Sequence, residues 1–379
     1  MIKKYIKSCI KSLDPVLFVC TLLLSVIGIV AILGQVDSLA SGKRTLIMQV
    51  AMTVAGLIFT LVIANIDYHT FVDKYWLFLI GISVLLLGVT LVFGNTGADR
   101  VTTNRSWLTI PFVNVAIQPS EFVKIAMVCT FGKHISIVKD SINHPKSLAL
   151  LGLHALGIVG LILVSGDLGV ALVYIAFILI MLFCAGLSPW YLLGALVLCV
   201  LASPLAVKFL NDYQIQRLLV GFNPESDPLG YGMQPLTSKK CIENGGFFGI
   251  GLFEKGTYQT LPASHTDFAF ATICEKFGIL MGITVMVLLV VMIIRIFKIA
   301  KECGDDYGAY ICIGVGAIIL VQTLENIGMC LAMLPVVGIT LPFVSYGGSS
   351  VLAVYMLVAL AHSIRTHKPK ASPKRRILY

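Results

Sequence analysis

Asp267 is the residue of this sequence best placed for acid–base chemistry. It stands in the segment Leu261-Pro-Ala-Ser-His-Thr-Asp-Phe268, where a polar, glycine-rich stretch meets a long apolar run. A charge buried at a membrane boundary costs roughly 2.5 to 3.5 kcal/mol even on lenient insertion scales, so a carboxylate at such a place usually marks a site. It could accept a proton from a substrate, or it could cap or charge the start of the next helix.

Charged side chains elsewhere could hold an anionic substrate. Glu121 and Lys124 lie three residues apart in Gln118-Pro-Ser-Glu-Phe-Val-Lys124, so one helix face carries both and they could simply neutralise each other. Exposed Lys and Arg beside a pliant glycine backbone, as between Gly245 and Gly251, suit phosphate or pyrophosphate recognition. The glycine spacing itself matches neither a P-loop nor a dinucleotide fingerprint. Further candidate binding residues are Arg105, Trp107, Arg217, Lys239, Lys240 and His265.

Three more acids stand in or beside apolar runs. Asp167 has glycine close on both sides, which fits a helix cap at a tight turn, and a substrate or ion-pair role is the alternative. Glu275 could pair with Lys276 or with a charge on another helix. Together with Glu325, these acids predict a polar cavity in one half of a helix bundle. One histidine beside one acid is not a metal ligand set, so the residues alone predict no metal site.

The elements that position these side chains are membrane helices. The chain is 58% hydrophobic and only 12% charged, far from the composition of a soluble domain. This composition predicts an all-α, polytopic membrane protein with about ten transmembrane helices. The predicted spans are 15–34, 46–64, 75–94, 120–138, 148–165, 168–186, 189–208, 268–297, 308–331 and 345–364.

Basic residues predict which way the bundle faces. An even number of spans puts both ends on one side, and Lys and Arg concentrate in the tails 1–14 and 365–379, which are therefore expected in the cytoplasm. The loops 95–119 and 209–266 then face outward, the second as a large extracytoplasmic loop between the seventh and eighth helices of a single domain, 1–379. The net charge of +9 reflects this topology and attraction to anionic lipid rather than nucleic-acid binding. Most cysteines lie in predicted spans, where core packing is expected.

Four segments together resemble the SEDS family (shape, elongation, division and sporulation). They are 118–124, the loop from Asp227 through Gly251, 261–268, and the run from Asn326 to Ser350, which includes Leu334-Pro-Val-Val-Gly-Ile-Thr-Leu-Pro-Phe-Val-Ser-Tyr-Gly-Gly. The last segment is long enough to be highly specific, and the resemblance covers nearly the whole chain.

The resemblance implies a peptidoglycan glycosyltransferase that polymerises lipid II on the outer face of the bacterial cytoplasmic membrane. It implies a class B penicillin-binding protein as partner, and it maps the family's essential acid onto Asp267. Arg105 and Trp107 correspond to an Arg-Trp motif, and Ser345 and Tyr346 in the last segment are expected to contact substrate. Asp267 would act as general base, while cationic side chains or a divalent cation, Mg or Mn, would neutralise the pyrophosphate.

Two other functions compete with this interpretation. A flippase that moves lipid-linked precursors would need an aqueous path and usually repeated halves with broken helices, and neither pattern is clear in the sequence. A catalytically silent scaffold for a penicillin-binding protein would keep the helices but tolerate loss of Asp267. Polymerisation and translocation assays distinguish the three.

Overall fold

The computed structural model describes residues 13–95, 105–110, 115–207 and 212–368. Most of both predicted tails and parts of both predicted outer loops lie outside these residues. Within them the chain is mostly helical. The helices are α1 (Pro15–Leu33), α2 (Gly42–Ala64), α3 (Tyr68–Phe93), α4 (Pro119–Val138), α5 (Pro145–Val164), α6 (Leu168–Cys184), α7 (Pro189–Val207), α8 (Asp212–Phe222), α9 (Met233–Gly245), α10 (Ala269–Phe277), α11 (Ile279–Glu302), α12 (Asp306–Cys330) and α13 (Gly348–Thr366).

The remaining regular structure is short. Strands β1 (Leu108–Ile110) and β2 (Val115–Ile117) form an antiparallel hairpin between α3 and α4, with Leu108 opposite Ile117. Single 3₁₀ turns lie at Lys139–Ser141, Pro224–Ser226 and Thr257–Thr260.

Every predicted span overlaps a helix, which confirms the predicted helical membrane fold in outline. Among the described residues, seven helices are long and apolar enough to cross a membrane: α1, α2, α3, α5, α11, α12 and α13. Helix α6 is apolar but shorter. Helix α4 carries three charged residues along its length, Glu121, Lys124 and Lys133.

The prediction of one continuous eighth span, 268–297, is wrong. Gly278 separates α10 from α11, with a φ of +81° that L side chains rarely adopt. A Cβ at this position would lie 2.1 Å from the carbonyl oxygen of Phe247. The glycine therefore permits both the break and the close approach of the preceding loop. The last predicted span also starts too early, because residues 345–347 belong to a loop and α13 begins at Gly348.

Helices α12 and α13 form the centre of the bundle. In each, 78% of the most apolar window is buried inside the protein, against 17% in α3. Helix α12 packs on α11, α6 and α4, and α13 packs mainly on α2. A central helix is shielded by its neighbours, whereas a peripheral one presents apolar side chains to lipid, so this difference is expected of a membrane bundle.

A buried carboxylate ties three helices together at the end opposite Asp267. Asp14 caps α1 by accepting hydrogen bonds from the backbone N–H groups of Val16 and Leu17, both at 3.1 Å. Its Oδ2 atom also accepts from Arg295 of α11 at 2.7 Å and pairs with Arg365 of α13 at 3.1 Å. Two arginines on one carboxylate hold these helix ends in register.

Candidate active site

The loop 331–347, which joins α12 to α13, lies at the centre of the candidate site. Two glycines on other helices allow its backbone to approach closely. A Cβ on Gly28 would lie 2.3 Å from the carbonyl oxygen of Val344, and one on Gly169 would lie 2.4 Å from that of Val337. Helices α1 and α6 thus pack directly against the loop.

Asp267 lies against this loop. Its carbonyl oxygen accepts a hydrogen bond from Nδ2 of Asn326 at 2.7 Å, and the same amide donates to the carbonyl oxygen of Ile339 at 2.6 Å. Asn326 is fully buried, so one side chain of α12 fixes both the Asp267 turn and the loop. The Asp267 carboxylate is half-buried, and a Cβ at Gly338, where φ is +74°, would lie 3.5 Å from its Oδ2 atom.

Asp267 is not the capping residue of the helix that follows it. The N-cap of α10 is Phe268, which makes no side-chain capping hydrogen bond. The Asp267 carboxylate stands one residue before this N-cap, in the turn, where it still adds negative charge at the start of α10.

His265 and Tyr346 lie beside this turn. The backbone N–H of Tyr346 donates to the carbonyl oxygen of His265 at 2.8 Å, and their ring centroids are 5.5 Å apart. Ser345 is buried, and its hydroxyl oxygen accepts from the N–H of Leu341 at 2.9 Å. Tyr346 is thus brought next to the Asp267 turn, whereas the Ser345 hydroxyl stabilises the loop from within.

Arg44, in the first turn of α2, is a cation near this group that the sequence reasoning missed. Burial raises the pKa of Tyr346, and the positive charge of Arg44 opposes that rise. A sequence signal existed, because Lys43-Arg44 is a basic pair in a connection predicted to face outward.

Glu121 and Lys124 form a buried ion pair on α4. The Lys124 Nζ atom is 2.8 Å from Oε1 of Glu121, and the residues are 1% and 4% exposed. Among the described residues, Oε2 of Glu121 has no hydrogen-bond partner. The mutually neutralising ion pair that the three-residue spacing predicted as possible is therefore present, inside the bundle.

Asp167 is the cap of α6, as one of its two alternatives predicted. Its Oδ1 atom accepts from the N–H of Val170 at 3.1 Å, and its Oδ2 atom accepts from Nε2 of Gln118 at 2.9 Å. Burial raises the pKa of this carboxyl group, and the two hydrogen bonds oppose the rise. Through Gln118 it connects the start of α4 to the start of α6.

The other predicted binding residues lie on separate elements at the same end. Arg105 is exposed, and its backbone N–H donates to the carbonyl oxygen of Ser165 at 3.1 Å. Trp107 is half-buried and pairs through its backbone with Asn95 at the end of α3. The remaining cations are Arg217, half-buried on α8, and Lys239 and Lys240, exposed on α9.

The glycine-rich segment after α9 packs against α10. A Cβ on Gly245 would lie 2.0 Å from the carbonyl oxygen of Cys274, and one on Gly249 would lie 2.2 Å from that of Lys276. The N–H of Ile250 also donates to the carbonyl oxygen of Glu275 at 2.9 Å. These glycines therefore serve close backbone packing, which leaves little of their backbone to contact a phosphate.

Among the residues that the structure describes, Glu275 has neither of the partners predicted for it. Its two carboxylate oxygens accept from the N–H groups of Thr257 and Tyr258, both at 2.7 Å. Lys276 instead donates to the carbonyl oxygen of Leu252 at 2.7 Å and lies 4.1 Å from the ring centroid of Tyr258. Both charges hold the loop that leads to Asp267.

Comparison with known proteins identifies the family. A family model described as cell cycle protein, covering FtsW, RodA and SpoVE, matches residues 14–370. The chain belongs to the FtsW/RodA/SpoVE family. This is the SEDS family that the sequence motifs resemble.

Full-length relatives and a solved structure agree with this family. The chain is 33% identical to stage V sporulation protein E of Bacillus subtilis, over 92% of this chain and 95% of that protein. It is also 33% identical to the peptidoglycan glycosyltransferase MrdB of Escherichia coli, over 95% of each. A solved structure of a peptidoglycan synthase complex that coordinates polymerization and crosslinking matches with a TM-score of 0.78 and 27% identity, over 93% of this chain and 97% of that one.

Proposed function

We propose that this protein is a peptidoglycan glycosyltransferase that polymerises lipid II on the outer face of the bacterial cytoplasmic membrane. The observation that carries the proposal is the half-buried Asp267 carboxylate, set against Gly338 where α10, α12 and the loop 331–347 meet. Family membership and the name of the MrdB relative support the same activity.

Asp267 would act as the general base. During chain growth the 4-hydroxyl of the acceptor sugar attacks the anomeric carbon of the donor, and the bond from that carbon to the pyrophosphate oxygen breaks. The acceptor hydroxyl loses its proton to Asp267, and undecaprenyl pyrophosphate leaves. Pyrophosphate is already a good leaving group, so the second carboxylic acid that most glycosidases need is not required.

Cations and aromatic groups around the turn would bind the substrate. Arg44, whose charge acts on Tyr346, and His265, whose ring centroid lies 5.5 Å from that of Tyr346, would bind the substrate beside the Asp267 turn. Lys239, Lys240 and Arg217 would provide further positive charge for the pyrophosphates. Apolar faces between helices would receive the polyprenyl chains.

We further propose that ten helices cross the membrane. Ten spans require α4, α6 and α7 to cross the membrane beside the seven helices that meet the length and hydropathy criteria. Both termini would then be cytoplasmic. A class B penicillin-binding protein is the proposed partner, and the match to a complex that couples polymerization to crosslinking supports it.

The described residues do not fit a resident metal ion. They contain no group of three or more His, Cys, Asp or Glu side chains that could hold one. We therefore derive no catalytic step through a metal. A Mg or Mn ion carried by the substrate pyrophosphate stays a prediction, which a chelator titration of the polymerase activity tests.

The decisive experiment measures lipid II polymerisation by the purified protein with its penicillin-binding partner. Asp267→Asn should lower the rate by about 100-fold or more, the contribution of a general base, with an unchanged elution profile and melting temperature. Asp37→Asn is the matched control, because Asp37 is an exposed carboxylate between α1 and α2. Full activity of Asp267→Asn would refute the general-base role. Lipid II translocation without polymerisation would favour the flippase.

A further inference from the structure

Three phenylalanines in one loop are strongly exposed. Phe247, Phe248 and Phe253 are 70%, 84% and 73% exposed in the phenylalanine loop, residues 246–253. Leaving an aromatic side chain in water rather than burying it forgoes about 1.5 to 3 kcal/mol. Several such side chains in one short loop mark a surface that contacts something apolar.

The loop is held rigidly. The N–H groups of Ile250 and Gly251 donate to the carbonyl oxygens of Glu275 and Lys276 at 2.9 and 3.0 Å. The N–H of Gly249 donates to the carbonyl oxygen of Gly245 at 2.8 Å. The phenylalanines are therefore presented by a defined, hydrogen-bonded backbone.

Backbone contacts place this loop at the ends of two membrane helices. The N–H of Ile279, the first residue of α11, donates to the carbonyl oxygen of Gly246 at 2.9 Å. A Cβ on Gly34, which ends α1, would lie 2.4 Å from the carbonyl oxygen of Leu252. Helices α1 and α11 are both candidate spans and pack on each other. The phenylalanine loop therefore bridges their ends at the membrane boundary.

The two helices present apolar stripes directly below the loop. Exposed residues recur at three- and four-residue spacing, which is one helix face. They are Leu280, Ile283, Val287, Val290 and Ile294 on α11, and Val16, Val19, Leu23, Val26 and Leu33 on α1. In a membrane protein such stripes face acyl chains, and the three phenylalanines continue this apolar surface past the helix ends.

We propose that the phenylalanine loop inserts into the lipid bilayer, at the boundary between acyl chains and headgroups of the leaflet on the Asp267 side. Aromatic side chains favour this zone, and the exposed Glu254 and Lys255 beside them can face the headgroups. Insertion would fix the depth of the chain from Leu252 to Asp267, which Glu275 and Lys276 hold on α10. The inference concerns lipid contact and does not depend on catalytic activity.

Tryptophan substitution tests the contact. Phe247→Trp, Phe248→Trp and Phe253→Trp are reconstituted singly in bilayers that contain phosphatidylcholine brominated at shallow or deep acyl positions. The emission of the parent protein, with its three tryptophans, is subtracted. Ile283→Trp, on the lipid-facing stripe of α11, is the lipid control. Leu229→Trp, at a position 92% exposed in the connection between α8 and α9, is the aqueous control.

The expected result is that shallow-brominated lipid removes about half or more of the added emission at the three loop positions, with little quenching by aqueous iodide. Leu229→Trp should show the reverse. Iodide quenching at the loop positions equal to that of Leu229→Trp would overturn the proposal. Protection from iodide that arises only when a penicillin-binding protein is added would also overturn it, in favour of a protein contact.

Discussion

Two Glu–Lys pairs in this molecule are close in sequence and buried, yet their side chains have different partners. Glu121 and Lys124 bind each other within α4 at 2.8 Å. Glu275 and Lys276 on α10 instead bind the backbone of the loop 252–258, with Glu275 accepting from Thr257 and Tyr258 and Lys276 donating to Leu252.

Helix geometry explains the difference. Residues three apart on a helix share a face, whereas adjacent residues point about 100° apart and cannot meet directly. The first pair is therefore a closed unit. The side chains of the second pair hydrogen-bond to two parts of the loop 252–258, and they thereby connect α10 to the segment that leads to Asp267. The three-residue spacing thus gives an ion pair inside the bundle, whereas the adjacent Glu and Lys each contact a loop.

The largest loss of stability is expected from breaking the Glu121–Lys124 ion pair. Lys124→Met leaves Glu121 buried without its cation and should lower the free energy of unfolding by about 3 to 5 kcal/mol. The melting temperature of the detergent-solubilised protein, followed by circular dichroism, measures this loss.

Two variants test the reason for that loss. Glu121→Gln combined with Lys124→Met removes both charges and should recover most of the stability. Lys133→Met lies on the same helix but breaks a far more exposed pair with Asp73, and should change the melting temperature little. A double variant as unstable as Lys124→Met alone would contradict the ion-pair explanation.

Glu275→Gln should have a smaller, local effect. The amide replaces one acceptor oxygen with a donor that faces a backbone N–H, so the loop 252–258 should open more easily by roughly 2 kcal/mol. Hydrogen exchange at the N–H groups of Thr257 and Tyr258 should then rise roughly 30-fold. Glu243→Gln, at an exposed carboxylate on α9, is the matched control. Unchanged exchange at Thr257 and Tyr258 would show that Glu275 does not anchor the loop.

Features with local causes could be predicted from the sequence. Apolar runs of membrane length predicted the helices, the i, i+3 spacing predicted a possible Glu121–Lys124 pair, and the glycine-flanked Asp167 predicted a cap. Each depends on residues within one or two helical turns, so the chain around them determines the outcome.

Features that depend on the tertiary fold could not be predicted. The partners of Glu275 lie 17 and 18 residues away, in a loop whose path the sequence does not specify. The break at Gly278 depends on the backbone of Phe247 lying against it, because a glycine within an apolar run is equally compatible with a continuous helix. Arg44 reaches the neighbourhood of Tyr346 only because α2 packs on α13.

The smallest effect is expected on the lysine side of the loop anchor. Lys276 lies 4.1 Å from the ring centroid of Tyr258, whose hydroxyl donates to the carbonyl oxygen of Glu254 at 3.1 Å. Tyr258→Phe removes only the hydrogen bond, whereas Tyr258→Leu also removes the aromatic face, so the second should be less stable by about 1 kcal/mol. A double-mutant cycle with Lys276→Met isolates the interaction: the coupling energy from thermal unfolding should be about 1 kcal/mol with Leu and close to zero with Phe, because phenylalanine retains the face beneath the cation. If the cycle with Tyr258→Leu shows no coupling, the Lys276 side chain holds the loop through its hydrogen bond to Leu252 alone. Glu275 and Lys276 would then both hold the loop 252–258 only by hydrogen bonds to its backbone.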